Sequence, residues 1–177
     1  MKIVKPGWEI VNEPNWGTIE RGDESTLEHH SMTVRFVCDL GVSHELVRHR
    51  HCSPSQESAR CAGCNEEQVE FIRPPWLGDG GLTEYHWCAA MKSCAMHYQD
   101  LVSLGWKPEQ ARSVLPNSLK TEVVVRNNLL DWRYILMLRC DDETHPQMLE
   151  LMRPLHKYLT EVCPTMFNSG KYNTEKL

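Results

Sequence analysis

The chain has 177 residues, 41% of them hydrophobic, and a formal net charge of −5, which suits a globular protein with its own core. No run is apolar for long enough to span a bilayer, and the opening MKIVKPGWEIVNEP lacks the apolar centre of a signal peptide. A pI near 6.0 argues against general nucleic-acid binding, which uses a basic face.

These features predict a cytoplasmic protein with no membrane or nucleic-acid partner. Without an export signal, its eight cysteines are expected to be free thiols. Cys61 and Cys64 form a CxxC pair, but a zinc ribbon needs a second close pair, and Cys88 and Cys94 stand too far apart. No metal site is therefore predicted, and a zinc-stabilised interaction module built on Cys61 and Cys64 remains the weakest of the competing readings.

From the N-terminus, residues 1–14 read as one or two short strands interrupted by Pro6-Gly7. Residues 29–38 alternate, with Met32, Val34, Phe36 and Cys38 on one side and Thr33 and Arg35 on the other, which predicts a half-buried strand. GVSHELVRHR follows, with Ser43 as a candidate N-cap and Leu46 and Val47 as anchors of a short helix carrying Arg48, His49 and Arg50 at its C-terminal end. Residues 67–73 predict another strand, ended by Pro74-Pro75-Trp76. The GDGG at 78–81 lacks the order of a dinucleotide-binding loop and reads as a turn.

From Glu84 to Leu104, Trp87, Met91, Cys94, Ala95, Tyr98, Leu101 and Val102 recur at helical spacing, and Gly105 is the stop. Pro108 opens a second short helix, ended before Pro116. KTEVVV is a strand. NNLLDWRYILMLRC is an apolar helix capped by Asn127 or Asn128. HPQMLELMRPLHKYLTEVC is a last helix, kinked or split at Pro154. Strands and helices mix without a βαβ rhythm. The expectation is an α+β protein, a mixed sheet packed with helices in one domain over residues 1–177.

The segment RHRHCSPSQESAR, residues 48–60, gathers positive charge in an acidic chain. Arginine forks match phosphate and carboxylate oxygens, and backbone N–H groups in a small-residue loop can wrap an anion. A phosphate or nucleotide cradle is one reading. A solvated basic turn is the other, since charge runs are usually exposed and cations favour a helix C-terminus. No serine here has an identifiable His–Asp relay.

Arg48-His49-Arg50, seven residues, then Ser58 resembles the signature of the flavin-dependent thymidylate synthases, the ThyX family. Gln56 falls where the family has Glu or Gln, and Arg60 also matches. The similarity continues through GDESTLEH at 22–29, ARSVLPN at 111–117, Thr121, the VVV strand, Asn128, WRYILMLR at 132–139 and CPTMF at 163–167. It covers residues 22–167.

The resemblance implies a ThyX-like fold and a homotetramer whose sites are shared between subunits. It implies methylene transfer from methylene-tetrahydrofolate to dUMP, with reduced FAD as hydride source and NADPH as reductant, giving dTMP. By position, Arg48, His49 and Arg50 would contact FAD, with Ser25, Gln56, Asn128 and Tyr134. Glu45, Arg48, Gln56, Ser58, Ala59, Arg60 and Arg112 would bind dUMP, Arg112 from another chain. Arg139 would activate the uracil. Its alternative is a dipole-stabilising arginine at a helix C-terminus.

Against the family pattern, the chain is shorter before Gly22, Cys61 replaces a tyrosine, Glu45 stands where glutamine is frequent, and Tyr134 replaces His or Asn. Two alternatives follow. One is a relative with altered one-carbon chemistry on a pyrimidine nucleotide, such as hydroxymethylation. The other is a nucleotide- or flavin-binding protein without catalysis.

Overall fold

The structure is a computed structural model that describes residues 1–21, 23–58 and 69–168. Strands β1 (Lys2–Val4) and β2 (Gly7–Asn12) precede two short helices, α1 (Trp16–Arg21) and α2 (Thr26–His29). Strand β3 (Ser31–Asp39) runs into α3 (Leu40–Leu46), followed by β4 (Ser53–Gln56) and β5 (Glu70–Ile72). Then come α4 (Leu82–Ser103), α5 (Pro108–Ala111), a 3-10 turn (Arg112–Val114), β6 (Lys120–Asn128), α6 (Leu129–Arg139), α7 (Pro146–Val162) and α8 (Pro164–Phe167). One sheet has the order β2-β3-β6-β4, and β1 pairs with β5 in parallel, with Ile3 opposite Phe71. The organisation is α+β, as the mixed sequence pattern predicts.

The chain folds into two compact units. The first comprises Met1–Gly7, Phe36–Val47 and Ser55–Val123. Its core gathers Phe71, Leu119 and Ala111 against Met91, Ala95 and Tyr98, the i, i+4, i+7 face of α4. Burying each large apolar side chain there stabilises the unit by about 1.5–3 kcal/mol relative to exposure. Gly80 and Gly81 hold φ of 84° and 92° in the turn before α4, where a Cβ would be strained. Arg73 ties that turn down, donating to Glu84, Asp79 and the carbonyls of Leu77 and Gly78. Gly105, at φ 95°, ends the helix as its sequence predicts.

The second unit comprises Trp8–Arg35, Arg48–Pro54 and Val124–Leu177. Helix α6 buries Leu129, Trp132, Ile135 and Leu136, and the Trp132 indole donates to the Met32 carbonyl of β3 at 3.0 Å. Helix α7 buries Met148, Leu151, Met152, Leu155 and Leu159 on one stripe.

Four expectations need correction. Of the two outcomes expected for α7, a kink or a split at Pro154, the split does not occur: the helix is one element through Pro154, which is exposed and leaves the buried stripe intact. Ser43 is not the cap of α3. Asp39, extended at the end of β3, accepts from Val42 N at 2.8 Å, and Ser43 lies buried inside the helix. Helix α3 stops at Leu46, so Arg48–Arg50 follow its C-cap residue Val47 in a turn rather than ending the helix. Residues 53–56, read as part of a loop, form β4.

Candidate active site

The second unit brings together two ends of the predicted site. Arg139 is the last residue of α6. Its Nε donates to His49 Nε2 at 3.1 Å across 90 residues of sequence. Because Nε2 accepts, the neutral ring carries its proton on Nδ1. An imidazolium has no lone pair and cannot make this bond. The guanidinium is thus fixed through Nε, and this bond does not consume the terminal nitrogens of its fork.

Arg48 and Arg50 flank His49 and are exposed. Among the described residues neither takes part in an ion pair. Elsewhere Arg73 pairs with Glu84, Arg133 with Glu24 and Arg153 with Asp142. The motif's two outer arginines therefore keep their charge uncompensated by any described carboxylate.

The turn itself is held by Cys52, whose N–H donates to the His49 carbonyl at 3.2 Å. Asn127 Nδ2 in turn donates to Cys52 Sγ at 3.0 Å. Burial, followed by the nearby Asp131 charge, pushes the Cys52 thiol up to about 11, so it stays protonated at neutral pH.

Asn128 caps α6: its side chain accepts from Asp131 N at 2.7 Å, so its amide nitrogen is what remains to meet a ligand. The 11 residues of α6 put about 16 Å between that cap and Arg139. Tyr134 is 47% exposed and lies about 140° round the helix from Arg139. Ser25 precedes α2 and donates to Asp23 Oδ1 at 2.5 Å, the leading cause of the lowered Asp23 carboxyl pKa.

The first unit holds the other end of the motif. Gln56, on β4, donates from Nε2 to Ser43 Oγ at 2.9 Å and, more weakly, to Thr121 Oγ1 at 3.5 Å. The Ser43 hydroxyl donates onward to the Leu40 carbonyl at 2.9 Å. Both hydroxyl residues are buried, so the amide is pegged to the interior although Gln56 itself is exposed. Glu45 is half-buried on α3, Ser58 is exposed just beyond β4, and Arg112 is exposed on the 3-10 turn with Nε on the Glu109 carbonyl. Ala59, Arg60, Cys61 and Cys64 lie outside the described residues. The six described cysteines are free thiols, and among the described residues no cluster of three or more His, Cys, Asp or Glu could hold a metal. No described helix is long and apolar enough to cross a membrane.

Sequence reasoning missed Ser43 as the partner of Gln56, and it missed the Asn127–Cys52 contact. A polar residue at 127, at the end of an alternating Val123, Val125 row, was the signal available.

Two arginines without an ion pair among the described residues, a histidine that accepts through Nε2 and a guanidinium held through Nε are groups suited by their chemistry to anionic, planar ligands, here carried by an α+β chain. The chain belongs to the family described as thymidylate synthase complementing protein, whose model matches residues 17–165. Three similar relatives each carry the name flavin-dependent thymidylate synthase. That of Geobacter sulfurreducens is 31% identical over 150 residues, which is 84% of this chain and 65% of the relative. One from Mycobacterium sp. strain JLS is 32% identical over 169 residues, 84% of this chain and 66% of the relative. That of Thermococcus kodakarensis is 34% identical over 133 residues, 73% of this chain and 54% of the relative. The chain thus spans less than two thirds of the length of each.

Proposed function

We propose that the chain works as a flavin-dependent thymidylate synthase, converting dUMP to dTMP with methylene-tetrahydrofolate as carbon donor and NADPH as reductant. When bound, FAD would supply the hydride. The observation that carries the reading is the Arg139–His49 hydrogen bond, which joins the Arg-His-Arg motif to the arginine expected to act on the uracil. The residues also fit the cofactor, because Arg48 and Arg50 offer cations without a carboxylate partner among the described residues to an anionic pyrophosphate.

In this reading Arg48, His49 and Arg50 bind FAD, with Ser25, Gln56, Asn128 and Tyr134. Arg48, Gln56, Ser58, Ala59 and Arg60 hold dUMP with Glu45, and Arg112 reaches it from a neighbouring subunit of a cytoplasmic homotetramer. Ser58 is no nucleophile; its part is to bind phosphate. The Arg139 guanidinium is a donor with no acceptor, so it takes no proton. Its charge favours the electron-rich uracil that attacks the methylene carbon, and the His49 bond holds the fork in place before reaction.

The test is turnover of dUMP with methylene-tetrahydrofolate, FAD and NADPH, read as product mass. A product heavier than dUMP by one methyl group in place of a hydrogen supports the reading. A hydroxymethyl product, or none with flavin bound, overturns it.

A further inference from the structure

Along β6 the buried positions alternate: Thr121, Val123, Val125 and Asn127. Valine fits such a row, yet its last place holds an amide that is only 4% exposed. Asn127 spends Nδ2 on a thiol sulfur, a weak acceptor, and its buried Oδ1 has no hydrogen-bond partner among the described residues. A half-satisfied buried amide destabilises a fold relative to an apolar side chain of similar shape. Stability does not explain the residue.

Its connections do. Asn127 holds the Cys52 sulfur, and the Cys52 N–H holds the His49 carbonyl. The next residue, Asn128, caps the helix that ends in Arg139, and Arg139 returns to His49 Nε2. The ring of contacts closes inside one unit: the turn is held at its backbone by Cys52 and at its side chain by Arg139.

We infer that Asn127 and Cys52 are positioning residues, which fix the His49 turn so that its imidazole meets the Arg139 guanidinium in a single tautomer. Neither touches a reacting atom. They act through His49, and the inference rests on the role proposed above for the His49–Arg139 pair.

The test uses the whole 177-residue chain labelled with 15N-histidine and 15N-tryptophan, its nine histidines resolved by reference to His49→Gln. The parent should show His49 as one tautomer, with Nε2 unprotonated. Asn127→Val suits the buried row and should fold. In it the His49 ring nitrogens should move toward tautomer-averaged positions, while the Trp132 indole signal stays put. Turnover number should fall about three- to tenfold with the KM for dUMP unchanged, the scale of one lost neutral hydrogen bond. The melting temperature should hold or rise, because an unsatisfied amide has gone. Cys52→Ala should reproduce the His49 change, and Cys52→Ser, whose hydroxyl can accept from Asn127, should recover most of the parent's signal.

Unmoved His49 signals in both Asn127→Val and Cys52→Ala overturn the inference. So does a melting temperature that drops in Asn127→Val, since that is the mark of a purely structural bond. The two readings separate cleanly. Altered His49 signals in a chain whose parent makes no dTMP keep the positioning and sink the activity. Unaltered signals in an active parent do the reverse.

Discussion

The two ends of the Arg48–Ser58 segment are held by opposite kinds of chemistry. At the Gln56 end, a neutral amide donates to two buried hydroxyls, and the Ser43 hydroxyl passes the chain on to a backbone carbonyl. No formal charge enters this series. At the His49 end, a guanidinium donates to an imidazole, a bond that exists only while Nε2 keeps its lone pair. Around it stand Arg48 and Arg50, without ion pairs among the described residues. The first arrangement is a peg that keeps its geometry across ordinary pH and salt. The second is an electrostatic fitting whose state depends on what binds it. Substitution of the peg's anchoring hydroxyl at Ser43 should therefore appear in stability alone, substitution of Gln56 in stability besides ligand binding, and substitutions at the fitting in binding and rate with little change in stability.

The largest break in that comparison comes from Arg139. Arg139→Ala should slow single-turnover methylene transfer, measured at saturating dUMP with prereduced flavin, by on the order of a hundred- to a thousandfold. Arg139→Lys keeps the charge but loses the planar fork, so it should recover only part of the rate. If Arg139→Ala weakens dUMP binding while the saturated rate stands, the residue is an anchor and not an activator.

Next in size, Arg48→Ala and Arg50→Ala should each weaken flavin binding by about 1.5–3 kcal/mol, the worth of a charge-assisted hydrogen bond. Neither should change unfolding free energy by more than about 0.5 kcal/mol, because no described partner is orphaned. Arg73→Ala is the contrasting control. It strips the turn before α4 of its ties to Glu84 and two carbonyls, and should lower stability instead. A stability loss in the Arg48 or Arg50 variant equal to that of Arg73→Ala would erase the distinction between fitting and peg.

What could be read in the sequence and what could not follows the same physical line. The buried face of β3, the apolar face of α4 and the cap at Asn128 are local periodicities and end signals, and each appears where it was expected. Strand β4 left no such trace: all four of its residues are exposed and one is Pro54, so no alternation marks it. Helices α1 and α2, of 6 and 4 residues, are too short for a period to register. The motif residues were legible one by one, but their contacts were not. A bond between residues 49 and 139 has no signature in either neighbourhood, and Ser43 read as a helix cap because its pairing with Gln56 depends on the fold.

A smaller effect tests the frame of the fitting. Asn128→Ala removes the cap of α6 and should cost about 1 kcal/mol of stability. Asn128→Asp keeps an acceptor at the helix N-terminus and should retain most of it. Flavin binding sharpens the result. If the amide nitrogen contacts the cofactor, Asn128→Asp holds stability yet loses affinity. Equal affinity in Asn128→Asp and the parent would assign Asn128 to the cap alone.

The smallest expected effect is at the peg. Gln56→Met keeps the length of the side chain and removes its donors. Ser43 still donates to Leu40 O, so only its acceptor side is left unmatched. The contact to Thr121 is already long at 3.5 Å and contributes little. One net neutral hydrogen bond is at stake, and unfolding free energy should fall by about 1 kcal/mol, with the urea m-value unchanged because the exposed surface is the same. Ser43→Ala leaves the Gln56 amide without its nearer partner and should cost a similar amount. The double variant should cost less than the two single costs added together, since each single change breaks the same bond. Strict additivity would mean that the 2.9 Å contact carries no energy. Gln56 would then be held by something else, and the contrast between the two ends of the segment would lose its neutral half.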